Sequence, residues 1–275
     1  MNRRADRCAA FHRLHESGCF MMPNPWDPGS ARFLEQLGFA ALATTSSGFA
    51  WSRGCPDNHV PLEVVLQHLR DMAASVSVPV NADFEGGFAV DPEQAGANVA
   101  AAAETGVAGL SIEDSSGDTQ APLFEFALSV DRVRAARQAI DDCGAGVLLT
   151  ARSEGFIVGR PDLDETIRRL KAYSEAGADC LYAPGVRDID QVRAVVEALA
   201  PKPINVLVGG PNTTVADMAA AGVRRISTGG ALARAAWGGF LRAARQLAAE
   251  GTFDGFDGAA TWDEMEGAFS SDSYG

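Results

Sequence analysis

No stretch of this sequence stays apolar for the ~20 residues that a membrane-crossing helix needs. The opening segment MNRRADRCAAFHRLHESG carries charges but lacks the apolar centre of a secretory signal. The expectation is therefore a cytoplasmic protein with no membrane partner. Basic residues are scarce: 23 Lys and Arg face 36 Asp and Glu, giving a net charge of −13. With no Lys/Arg block to offset that balance, a phosphate backbone would be repelled, which excludes nucleic acid as a partner. A small anionic substrate stays open, because local cations can reverse the field inside a pocket.

Cysteine chemistry is also thin. The five cysteines, Cys8, Cys19, Cys55, Cys143 and Cys180, are odd in number and scattered. Without a CxxC they read as reduced thiols rather than a disulfide or zinc framework. The first strand is followed by PNPWDPGS. The glycine fingerprint GxGxxG is missing there, which argues against an open dinucleotide-binding sheet.

What is present is a repeating plan. Short apolar runs alternate with amphipathic stretches, the signature of βα units and a parallel sheet. Strands are expected at Gly18–Pro23, Ala40–Thr44, Val80–Asp83, Gly109–Glu113, Gly146–Ala151, Cys180–Ala183, Ile204–Val208 and Arg225–Ser227. Helices are expected over Val60–Ser75, after Asp91-Pro92-Glu93, over Arg132–Ile140 with Ser129 as cap, over Leu163–Ala176 with Asp162 as cap, over Thr213–Gly222 and over Ala231–Ala249. Eight strands in 275 residues, 47% of them hydrophobic, suit an α/β (β/α)8 TIM barrel of ~250 residues. The expected organisation is one barrel domain over 1–250. A Gly/Asp/Phe-rich tail over 251–275 is either loose or docked on another surface, such as a second subunit.

Catalytic groups of such barrels sit at the C-terminal strand ends. Here those ends carry Asp83 and Glu85 after the third strand, Glu113 after the fourth, and Arg152 closing the fifth, while Asp57 lies in the loop after the second. If the third strand continues extended, Asp83 and Glu85 point the same way. One such acid alone reads as a helix cap or surface residue; four converging on one mouth would repel unless a hard cation joined them. Oxygen ligands and the lack of a His/Cys cluster favour Mg²⁺, with Mn²⁺ as the alternative occupant. Arg152 could grip a carboxylate bidentately, or make a salt bridge to Glu154 or Glu113. The loop Thr44–Gly48, with Thr45, Ser46 and Ser47, is either a small anion nest or an ordinary polar turn. Asn205, a polar amide in an apolar strand, either faces the pocket or is satisfied in the barrel core.

Asp83-Phe84-Glu85-Gly86-Gly87-Phe88, then Ile112-Glu113-Asp114 and Ala151-Arg152, in this order, resemble the isocitrate lyase/phosphoenolpyruvate mutase superfamily from about Pro23 to Arg234. Ala89 stands where that pattern ends in Gly. The resemblance implies a barrel whose last helix is swapped between paired subunits of a homotetramer. It implies Asp83 as the direct Mg²⁺ ligand, with Asp57, Glu85 and Glu113 holding the ion through water. It further implies Arg152 on the substrate carboxylate and Thr45, Ser46 and Ser47 on the oxo-acid end. Asp57, Glu113 and Arg152 are then the catalytic set, and Asp83 and Asn205 join the substrate contacts.

Departures narrow the reaction. The superfamily's lyases carry K-[KR]-C-G-H after their Glu-Asp; here Ser115–Leu128 reads SSGDTQAPLFEFAL, without Cys, Lys or His. Pro184 takes the place of the mutase's pocket His. The expectation is a Mg²⁺-dependent lyase acting on a small 2-oxo acid or its C–C adduct and releasing a 2-oxo carboxylic acid. Oxaloacetate decarboxylation, C–P hydrolysis of the phosphonopyruvate kind and non-catalytic 2-oxo-acid binding are the alternatives. The 115–128 loop is a candidate lid, and Cys55, beside Asp57, a candidate substitute acid/base.

Overall fold

The apolar runs pair side by side, in parallel, in the order β1-β8-β7-β6-β5-β4-β3-β2. The computed structural model describes residues 3–144 and 146–269. Along the chain lie α1 (Arg3–Glu16), β1 (Phe20–Met22), α2 (Pro28–Gln36), β2 (Leu42–Ala43), α3 (Ser46–Ser52) and α4 (Leu62–Ser75). Then come β3 (Val80–Asp83), α5 (Pro92–Ala103), β4 (Gly109–Glu113), α6 (Phe126–Asp142), β5 (Leu148–Arg152) and α7 (Leu163–Glu175). The last third holds β6 (Cys180–Tyr182), α8 (Ile189–Leu199), β7 (Ile204–Leu207), α9 (Val215–Ala220), β8 (Arg225–Ser227), α10 (Ala231–Glu250) and α11 (Trp262–Phe269). This is a nearly closed (β/α)8 barrel. The β1–β2 seam forms no ladder and is crossed by one backbone bond, Ala43 N–H to Pro23 O at 3.1 Å.

Strands buried on both faces explain the unbroken apolar runs. Val80, Ala82, Leu110, Leu149, Leu181 and Ile226 belong to one continuous core. The register then sets the mouth: Asp83 pairs with Ser111, and Glu113 with Arg152, so the end of β5 stands level with the end of β4.

Several helices were not legible from periodicity. In α1 only Cys8 and Phe11 are buried, a stripe too narrow to read against its charges. The segment PNPWDPGS is not a plain turn: Asp27 caps α2 by accepting from Ser30 N–H, with Pro28 in the first turn. The α6 helix opens at Phe126 rather than near Ser129; the Ser129 hydroxyl turns back to Phe124 O and Glu125 O, so it sits inside the helix. Asp91 and Asp162 do cap α5 and α7.

The barrel wall is unevenly covered. The α10 helix buries only Ala233, leaving Trp237, Phe240, Leu241 and Leu247 exposed. Beside β8 and β1, Met21, Val208, Pro211, Val215, Ile226 and Leu232 line an apolar cavity of about 520 Å³. Beyond α10, a 3₁₀ turn at Asp254–Phe256 packs on it through Gly255 against Ala243. The α11 helix then lies against α2, where Gln36 donates to Ala268 O and Arg32 stacks over the Phe269 ring. Among the described residues no helix is long and apolar enough to cross a membrane.

Candidate active site

Arg152, at the end of β5, is the hub of the mouth. Its Nη1 reaches Asp83 Oδ1 at 2.5 Å, its Nη2 Glu113 Oε2 at 3.0 Å and its Nε Glu154 Oε1 at 2.9 Å. The guanidinium also lies 5.2 Å from the Tyr182 ring. The salt-bridge reading of Arg152 is met by Glu113 and Glu154, and the residue also lines the cavity.

Asp83 is held from β2 as well. Its backbone N–H donates to Thr44 Oγ1 at 2.9 Å, and its Oδ2 accepts from Ser46 N–H at 3.1 Å. Thr45, Ser46 and Ser47 are not a loop but the start of α3, where Thr45 Oγ1 caps Gly48 N–H and meets Ser47 Oγ at 3.1 Å. Asp57 joins from the following loop through a hydrogen bond with Ser46.

Glu85 reaches the cluster by a route that periodicity does not give. The β3 strand stops at Asp83, and Glu85 adopts φ 47 in the left-handed region, so it does not alternate with Asp83 along an extended strand. That backbone is costly for a residue with a Cβ and persists only where its surroundings enforce it. Arg132, buried in α6, supplies the enforcement by donating to Gly86 O, Ala89 O and Val90 O.

The neighbour of Glu113 has a different task. Asp114 is buried and turned away, accepting from Tyr173 Oη–H at 2.6 Å, Arg169 Nη1 at 3.2 Å and Glu154 N–H at 2.8 Å. It thereby fixes Glu154, which in turn holds Arg152.

Electrostatics follow from crowding. Burial, then Asp83 and Asp57, pushes the Glu85 carboxyl up to about 8. Burial raises Glu113 well above the ordinary carboxylate range despite Arg152, and raises Glu154 and Asp57 too. Burial alone would lower the Arg152 guanidinium, but Glu113, Glu154 and Asp83 outweigh it and hold it firmly protonated. One cation thus faces more negative charge than it neutralises. The donors are all hard oxygens, the set a divalent ion such as Mg²⁺ takes. Among the described residues, no three His, Cys, Asp or Glu side chains stand close enough to hold an ion unaided.

The cavity beside these groups measures about 290 Å³; Glu154 lines it, whereas Glu85 and Glu113 stand behind the lining. Thr45, Ser46, Ser47, Asp57, Asp83, Arg152 and Asn205 all line it, joined by residues that no sequence signal singled out: Asn24, Tyr182, Arg225 and Ser227. Asn205 satisfies both readings, since it lines the cavity and bonds Arg225 Nε and Ser227 Oγ. Asn24 ties the loops after β1, β2 and β8 together, accepting from Thr228 and Gly229 N–H and donating to Thr44 O. Cys55 packs on the core instead of lining the cavity. The 115–128 segment folds back on itself through a Ser115–Leu123 bridge and gives its last residues to α6.

The profile of the phosphoenolpyruvate phosphomutase family matches residues 11–248. An uncharacterized protein of Mycobacterium tuberculosis is 33% identical over 222 residues, 80% of this chain and 81% of that protein. The oxaloacetate decarboxylase of Rhodopseudomonas palustris is 28% identical, over 78% of this chain and 73% of its own. Among solved structures, a candidate lyase/mutase of Burkholderia cenocepacia superposes with a TM-score of 0.95 at 44% identity, covering 99% of this chain and 98% of its own. A phosphonopyruvate hydrolase bound to oxalate and Mg²⁺ superposes at 0.80 with 27% identity, over 98% and 95%.

Proposed function

Since the chain belongs to the phosphoenolpyruvate phosphomutase family, we propose that it is a Mg²⁺-dependent lyase that cleaves a bond next to a small 2-oxo carboxylic acid. The observation that carries this reading is the cluster of acids about Arg152: Asp83, Glu113 and Glu154 pair with it, and Glu85 and Asp57 crowd Asp83. In this reading Asp83 holds the ion directly, while Asp57, Glu85 and Glu113 hold it through water, in keeping with the reluctance of Mg²⁺ to shed its hydration. A bound Mg²⁺ supplies Lewis-acid polarisation of the 2-oxo group and offsets charge developing during cleavage. Manganese fits the same oxygens.

Arg152 takes the substrate's near carboxylate, and its three carboxylate partners hold the fork in place. Thr45, Ser46 and Ser47 receive the oxo-acid end at the start of α3, and Asn205 contributes its amide from β7.

Among the described residues the cavity lining holds no Cys, His or Lys. That favours decarboxylation of an oxaloacetate-like diacid within the lyase class, because loss of CO₂ needs an electron sink and a later proton but no strong base. Tyr182, whose hydroxyl is pushed up to about 12 by burial, keeps its proton and is the phenol available to give it.

The test is Mg²⁺-dependent release of 2-oxo acid from oxaloacetate, isocitrate, methylisocitrate, dimethylmalate and phosphonopyruvate, each with an EDTA control. EDTA-sensitive turnover identifies the reaction. Binding of 2-oxo acids with no turnover of any would point to a binding protein instead.

Assembly belongs to the same proposal. The exposed apolar face of α10 and the uncovered apolar cavity beside β8 are complementary in kind. Exchange of α10 between two copies would bury both, giving a homo-oligomer in which the 1–250 barrel is completed by its partner. The tail from 251 then sits near that boundary.

A further inference from the structure

Arg225 opens β8 and is 1% exposed, a guanidinium inside the barrel. Its Nε donates to Asn205 Oδ1 at 2.8 Å, its Nη2 to Thr150 Oγ1 at 3.0 Å, and its Nη1 lies 3.3 Å from His15 Nε2. All three partners are neutral. His15 is held uncharged because burial, and then Arg225 itself, pushes its imidazole down to about 3. Among the described residues no carboxylate forms an ion pair with Arg225. A guanidinium carries five N–H donors, so one on each Nη nitrogen remains for a further acceptor. A buried cation without an anion is costly, and a bound anion would offset that cost.

Its position says which anion. Arg225 lines the same cavity as Asp83 and Arg152. Thr150, which it touches, stands two residues before Arg152 on β5 and on the same face. Thr150 and Arg152 lie about 6.6 Å apart along that strand, with Arg225 bonded at the deeper position. Ser227, Asn205 and Ser111 line the wall between them. Arg152 already faces three carboxylates, whereas Arg225 faces none.

We propose that Arg225 is the anchor of the substrate's distal carboxylate. The cavity then selects a four-carbon diacid, with its 2-oxo end at the mouth and its far carboxylate at the floor. This rests on the reading of the mouth as an oxo-acid site.

Calorimetry on the full chain with Mg²⁺ separates the two claims. Three probes suffice: oxalate, which reaches only the mouth; malate; and 2-hydroxybutyrate, which replaces malate's distal carboxylate by a methyl. Wild type should bind malate at least about tenfold more tightly than 2-hydroxybutyrate, the scale of one charged hydrogen bond. Arg225→Gln should erase that preference and leave oxalate within about twofold, and Arg225→Lys should restore part of it. Equal affinity of wild type for malate and 2-hydroxybutyrate, with oxalate still bound, overturns the proposal while sparing the mouth. Equal weakening of all three probes in Arg225→Gln makes Arg225 a structural post and overturns it too. If oxalate fails to bind wild type, the reading of the mouth falls and this inference with it. Should Arg225→Gln not fold, the wild-type preference still decides.

Discussion

The arc from β3 to β5 and the arc from β7 through β8 to β1 are built from the same βα unit but finished differently. In the first, α5 and α6 cover the wall and buried polar networks brace it: Arg132 on the loop after β3, and Asp114 with Arg169 and Tyr173 behind Glu154. In the second, α10 leaves the wall, and an apolar cavity of about 520 Å³ takes its place. One arc concentrates the acidic side chains around Arg152; the other adds Asn205, Arg225 and Ser227 to the same cavity and leaves apolar surface on its outer side. In the proposed reading, metal binding falls to the first arc and assembly to the outer wall of the second.

That division can be broken. Asp83→Ala should abolish Mg²⁺-dependent oxalate binding, a loss above the 10–100-fold that outer ligands typically carry, while leaving the oligomer's mass unchanged. Retained Mg²⁺-dependent binding in calorimetry would remove the metal site from the first arc. The converse variant is Trp237→Glu with Phe240→Glu on α10, which should turn the oligomer into monomers by light scattering and spare the mouth acids. A wild-type chain already monomeric in that measurement would refute the division outright.

Two smaller effects sharpen it. Arg152→Ala should weaken oxalate by ~1.5–3 kcal/mol, the range of a charged hydrogen bond, and should lower the melting temperature most in EDTA, where Asp83, Glu113 and Glu154 lose their shared cation. An unaltered oxalate affinity would make Arg152 purely structural. Finally, Glu85 sits near 8 in the folded chain against an ordinary value of ~4.3 unfolded. The folded state therefore binds the extra proton, and stability of the metal-free protein falls as pH rises from ~4.3 through 8. His15 and His68, held neutral at about 3 and about 4, act oppositely on the acid side, below ~6.5. Subtracting melts with and without Mg²⁺ cancels the histidines, and the Mg²⁺-induced rise should be larger at pH 8 than at pH 5.5. A rise independent of pH would separate Glu85 from the ion.

Much of the first arc was legible in the sequence because its signals are local. Val80–Asp83 and Gly109–Glu113 form as strands over the expected residues, and Asp83 and Glu113 fall at their ends. What escaped depends on groups far apart in the chain. Glu85 turns inward through a left-handed residue enforced by Arg132, which is 46 positions beyond Gly86. Arg225 meets Thr150 across 75 residues. The α1 helix, noted in the sequence only for its charges and its want of an apolar centre, contributes Phe11 and His15 beneath the barrel, where a two-residue stripe sufficed because the strands supply the rest of the packing.

The seam between β1 and β2 has its own consequence. The cylinder is shut by β1 pairing Phe20 with Arg225, from opposite ends of the barrel's sequence, and by the lone Ala43–Pro23 bond opposite. Contacts of such high sequence separation form late, after the cost of closing a long loop has been met. The stave that closes last is also held by the fewest bonds, so it loosens first. In hydrogen exchange the Ala43 amide should lose protection ahead of Leu110 and Leu149, making the seam the breathing point of an otherwise rigid ring.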